Sequence, residues 1–148
     1  MTDAHDQKLT LHLLLHVPEH EARESDPYYH IFNATRDRMA KLGLLVCALK
    51  GCTYPGPIEL HHSRVEDSLQ SGVDLEQFNQ FFGLHLADDD AFRQYIQGPD
   101  NLEPLCPLHH RGRMGVHMLP GPEWQPLRYW RVDMAPPAEF ITAKDNQP

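Results

Sequence analysis

The sequence predicts an α+β fold for three reasons. All three cysteines fall into one pattern with two pairs of adjacent histidines: Cys47-x4-Cys52, then Glu59-Leu-His61-His62, then Asn101-x4-Cys106-x2-His109-His110. Glycines and prolines bracket two short apolar runs near those residues, as they do around strands bounded by turns. Between and before the runs, apolar side chains recur at helical spacing.

In chain order, residues 1–8 are polar and offer nothing apolar to tie a terminus down, so they are expected to fray. Leu9–His16 is too brief to separate a strand from a short helix, and both stay open. Asp26 can cap a helix with Pro27 at its first position, and Ile31, Met39, Leu42 and Leu45 recur near helical spacing, which predicts a helix over Pro27–Leu44 inside a 26–46 segment. Arg36, Arg38 and Lys41 give that helix either a solvated face or a phosphate contact. Gly51, Pro55, Gly56 and Pro57 make Cys47–Cys52 a knuckle that leads into a strand, Ile58–His62. Asp74–Leu86, with Phe78, Phe81 and Phe82, and Asp88–Ile96, with Phe92 and Tyr95, are expected to be amphipathic helices within an insertion spanning 63–100. Gly98-Pro99-Asp100 turns the chain into a second strand, Asn101–Leu105, and Pro107 opens a short helix carrying His109 and His110, limited by Gly112 and Gly115. The segment 118–148 is proline-rich, with Trp124, Trp130 and Phe140 as aromatic anchors for irregular chain. Residues 1–148 are expected to form one domain, with an N-terminal segment 1–25 and a core at 47–117.

Composition narrows the class. The net charge of -8 does not suit a protein that merely coats nucleic acid, because such surfaces are basic enough to displace counterions. The acid is concentrated, however: residues 63–100 hold Glu66, Asp67, Asp74, Glu76, Asp88, Asp89, Asp90 and Asp100 against Arg64 and Arg93. From Asn101 to Arg131 the arginines 111, 113, 128 and 131 outnumber the glutamates, so this locally basic segment is where contact with DNA is expected. An odd number of cysteines fits metal better than a disulfide framework, and the thiols are expected to be reduced. The apolar run Leu9–Val17 is interrupted by His12 and His16 and is too short to cross a membrane, which places the expected setting in the cytoplasm, with no membrane partner.

The donors divide into two sets. Cys47, Cys52, Cys106 and His109 form a complete four-ligand set for a structural zinc, whereas His61, His62, Asn101 and His110 remain for chemistry at a metal with an open position. Strand, strand and helix around one metal make the ββα-metal arrangement, and Cys47–His117 resembles the HNH endonuclease family in motif order. The resemblance implies that His61 ligates a catalytic metal, His62 is the general base, Asn101 orients it and His110 is another ligand. The chemistry is sound on its own terms: a neutral imidazole with a pKa of about 6.5 can take a proton from water if a partner fixes its tautomer, and the Asn101 carbonyl accepting from the His62 ring could do so.

His117 is the candidate third ligand, because Gly115-Val-His117 follows His110 closely enough to return to the same cavity. The run from Pro104 to His110, then Gly112, Gly115-Val-His117 and Trp124, looks like the RecA-dependent nuclease branch found in bacteriophages. That likeness implies a bacterial or phage-infected host cell and a protein partner such as a recombinase or another phage or host factor. The acidic insertion and the lack of a basic arm depart from the branch. An all-imidazole set suits Zn2+, Ni2+ or similar ions better than Mg2+, with Mn2+ and Mg2+ also admitted as the one catalytic divalent ion. Arg111 and Arg113 can clamp phosphate or simply complement a helix end. Glu59 is either an exposed carboxylate or one that polarises a ligating histidine. A competing expectation is a ββα zinc module that no longer cuts and uses its acidic insertion to bind a protein or nucleic acid.

Overall fold

The computed structural model describes residues 22–119 and 121–124. The segment Leu9–His16 and most of the tail, including Trp130 and Phe140, lie outside the described residues. The fold is α+β: helix α1 (Tyr29–Lys41), strand β1 (Glu59–His62), helices α2 (Leu75–Phe82) and α3 (Asp89–Ile96), strand β2 (Leu102–Leu105), and short helices α4 (Pro107–His110) and α5 (Gly121–Trp124). Among the described residues no helix is long and apolar enough to cross a membrane.

Helix α1 is shorter than the expected Pro27–Leu44. Asp26 does not cap it: its Oδ1 accepts the Tyr28 N–H at 2.7 Å in the turn before the helix and faces Arg93 at 3.5 Å. Gly43, at φ +69, ends the helix, so Leu42 falls beyond the last turn and is 60% exposed rather than packed. The buried face is instead Phe32 and Thr35. Phe32 packs on Leu60 from β1 and Leu102 from β2, with Tyr29, Met39 and Leu45 at the margin.

The strands pair antiparallel, Glu59 opposite Leu105, Leu60 opposite Pro104, His61 opposite Glu103 and His62 opposite Leu102. Each begins one residue later than expected. The cysteine knuckle lies beside β2 because the Ala48 N–H donates to the Pro104 carbonyl at 2.8 Å. Trp124, 1% exposed, packs with Leu49 and Leu105 against Cys47 and Cys52, and so serves as the anchor expected of it.

The insertion has a core of its own. A 3-10 turn at Asp67–Gly72 leads into α2 and α3, whose N-termini are capped by Asp74 (from the Gln77 N–H, 2.9 Å) and Asp88 (from the Ala91 N–H, 2.8 Å). Gly83, at φ +65, stops α2 three residues before the expected Leu86. Phe78, Phe92 and Ile96 interlock, with Val65, Val73 and Tyr95 around them, whereas Phe81 is 82% exposed. Ile96 is fully buried. Ile96→Val is expected to lower the unfolding free energy by about 1 kcal/mol, measured as a shift in urea midpoint at constant slope.

Candidate metal centres

The cysteine knuckle, the end of β2 and α4 bring four donors together. The His109 Nδ1 lies 3.3 Å from the Cys47 Sγ and 3.2 Å from the Cys106 Sγ, and the Cys52 and Cys106 sulfurs are 3.9 Å apart. Donors sharing one ion through bonds of roughly 2.0 to 2.3 Å stand roughly 3.3 to 3.8 Å from one another, so the set fits a single metal ion. Cys106 is buried and the other three are half-buried. Burial pushes the Cys47 thiol up to about 11 and holds His109 below the ordinary imidazole range, so the histidine offers a neutral ring.

A second group forms on the other side of α4. His61 from β1, His110 from α4 and His117 from the following loop place one ring nitrogen each within 4.8 Å of the others. Their ring centroids are 5.4 Å (His61 to His110), 5.0 Å (His61 to His117) and 4.8 Å (His110 to His117) apart. The three donors named from the sequence therefore share one place. Glu59, two residues before His61 on the same strand, is 2.7 Å from the His110 Nδ1. That contact engages Nδ1 and leaves Nε2 as the His110 nitrogen available to a metal ion, a common arrangement for ligating imidazoles. Burial holds His110 below its usual range against the opposing pull of Glu59.

Arg111 does not reach into the cluster as a phosphate clamp. Its guanidinium grips the Glu59 carboxylate with two hydrogen bonds, the Nε one at 2.9 Å. The pair holds Glu59 below the usual carboxylate range, chiefly through Arg111 and then through His110. Arg113 is exposed and lies outside the residues lining the histidine cavity. The cationic residue that does line that cavity is Arg64, whose guanidinium stacks 4.7 Å from the Phe82 ring centroid and bonds the Tyr95 hydroxyl.

His62 points away from the cluster, stacked on Phe32 at 5.9 Å, yet it lines the same cavity of about 440 Å3 as His61, Glu66 and His117. A second cavity, of about 470 Å3, runs along α2 from Gly72 to Phe82 and contains no histidine. The expected bond from His62 to Asn101 is not formed. The Asn101 Oδ1 accepts the N–H groups of Arg64 and Val65 at 2.9 and 3.1 Å, and its Nδ2 donates to the Val65 and Ile96 carbonyls at 3.0 Å each. Its capacity is spent on backbone, which turns the chain as it leaves β1. The His62 Nε2 meets the Oε1 of Gln97 at 3.3 Å, and the Gln97 Nε2 donates to Asp67 at 2.5 Å. Because an amide oxygen only accepts, this contact is a hydrogen bond in the tautomer whose Nε2 carries the hydrogen, which makes Nδ1 the basic nitrogen.

Gln97, Asp67, Glu66 and Arg64 are thus site residues that the sequence reading passed over, and all four belong to the insertion. Only the nearness of Arg64 and Glu66 to His62 in sequence could have signalled them. No family model, curated protein or solved structure matches this chain.

Because the Cys47 thiol is protonated at neutral pH, a metal that takes its sulfur must displace that proton. Uptake of one Zn2+ by the thiolate set is expected to release protons, and its apparent affinity to fall about tenfold per pH unit on acidification for each proton displaced. Calorimetric titration in two buffers of different ionisation enthalpy measures the release.

Proposed function

We propose that the chain is a metal-dependent endonuclease of the HNH type that hydrolyses DNA phosphodiester bonds, with His62 as general base. One observation carries this reading: three imidazoles converge on one point, and a fourth, oriented by a buried amide, opens into the same cavity. The antiparallel β1–β2 pair with α4 against both strands supports a ββα-metal core. Cys47, Cys52, Cys106 and His109 would hold a structural zinc, since a thiolate-rich four-donor set with no vacancy is its usual site. His61, His110 and His117 would hold the catalytic divalent ion. When bound, that ion supplies Lewis-acid stabilisation of charge on the scissile phosphate.

The chain's own residues do the rest. His62 accepts a proton from the attacking water at Nδ1, and Gln97, backed by Asp67, keeps the ring in that tautomer. Asn101 fixes the loop that presents Arg64 to the cavity, where its guanidinium can meet a phosphate oxygen. Glu59, gripped by Arg111, holds the His110 ring in place. The proposed substrate is DNA, the setting the cytoplasm of a bacterium or phage-infected cell, and a recombinase or another phage or host factor remains the kind of partner the motif resemblance implies.

The rival reading, a non-cutting zinc module, draws on the exposed acids Asp88, Asp89 and Asp90 at the start of α3, which offer a basic partner a negative surface. Supercoiled plasmid separates the two. The intact chain is expected to nick it with at least one of Zn2+, Ni2+, Mn2+ and Mg2+, and His62→Ala to lower the rate by about 10² to 10⁴ while circular dichroism and the thiolate-bound metal stay the same. Gln97→Leu is expected to cost less than His62→Ala. Absence of nicking under every ion would favour the binding module.

A further inference from the structure

Glu66 leaves β1 four residues after His62, at the start of the 3-10 turn that opens the insertion. Its Oε1 lies 3.4 Å from the His61 Nδ1 and 3.6 Å from the His117 Nε2. Those separations match the roughly 3.3 to 3.6 Å expected between two donors that share one ion through tetrahedral bonds of about 2.0 to 2.2 Å. Glu66 also lines the cavity that His61, His62 and His117 line. We propose that Glu66 is the fourth protein donor of the His61, His110 and His117 site, so that a divalent cation there is bound by three imidazoles and one carboxylate. This rests on the reading of those three histidines as metal donors.

The chemistry differs from that of an all-imidazole set. A carboxylate lowers the net charge at a divalent ion by one and adds a hard oxygen donor, which widens the acceptable ions toward Mn2+. It also places an anion on the wall of the cavity through which a phosphate would approach, so an incoming phosphate oxygen competes with Glu66 for the cation. An ordinary ion pair with protonated histidines would give similar distances, but it would contribute nothing to holding a metal.

Cobalt(II) absorption of the full chain separates these. The intact protein is expected to take up two equivalents, the first marked by a sulfur-to-cobalt band and the second by d–d bands alone. Glu66→Gln and Glu66→Ala are expected to leave the first unchanged and weaken the second about tenfold or more, with altered d–d bands. Unchanged affinity and bands for the second equivalent in both variants would overturn the assignment of Glu66 while leaving the histidine site intact. Absence of a second equivalent from the intact protein would overturn the histidine site itself, and the Glu66 assignment with it. Circular dichroism and the first equivalent report whether each variant is folded.

Discussion

Along β1 the pleat sends successive side chains to opposite faces, and everything at the site follows from how four residues use it. Glu59 and His61 turn toward α4, where one meets the His110 ring by a hydrogen bond and the other joins it in the donor cluster. Leu60 and His62 turn toward α1, where both pack on Phe32. Two adjacent imidazoles therefore meet unlike surroundings without any distortion of the strand. Their separation is also why His62 can be held by Gln97 while His61 is left to the donor cluster.

Asn101 shows how the surrounding chain is made to respect that division. It is fully buried, and each of its polar groups is matched by backbone on both sides of the insertion, from Arg64 and Val65 to Ile96. A buried amide left without partners costs about 1 to 3 kcal/mol, so the satisfied network selects one path for the chain between β1 and α3. The insertion is in this way part of the site rather than an appendage. It brings Glu66, Asp67 and Gln97 to the histidines while keeping its own apolar cluster of Phe78, Phe92 and Ile96.

Much of this was legible in the sequence because it is local. Donor spacing around turns, proline at the start of α4 and aspartate before α2 and α3 each act within a few residues, and the strands and helices fall within four residues of their expected ends. Which residue partners which is not local. Asn101 and Gln97 are both buried amides near the cavity, and only the fold decides that the first bonds backbone and the second meets His62. Arg111 has the composition of a phosphate ligand, but Glu59 stands directly across from α4 and takes it. The exposed Leu42 misleads for a simpler reason: Gly43 ends α1 early, and periodicity alone does not see a left-handed residue, whereas Phe81 lies within α2 on the face turned away from Phe78 and Phe92.

The two-residue repeat of β1 sets what changes of length the gene can bear. One codon gained or lost between Glu59 and His62 would swap the walls the imidazoles face, turning His62 toward His110 and His117 and His61 toward Phe32. The turn from Gly83 to Asp88 carries no such alternation: its ties are local, Leu86 to Asn79 and Asp88 to the first turn of α3, so a change of length there leaves the walls that the imidazoles face as they are.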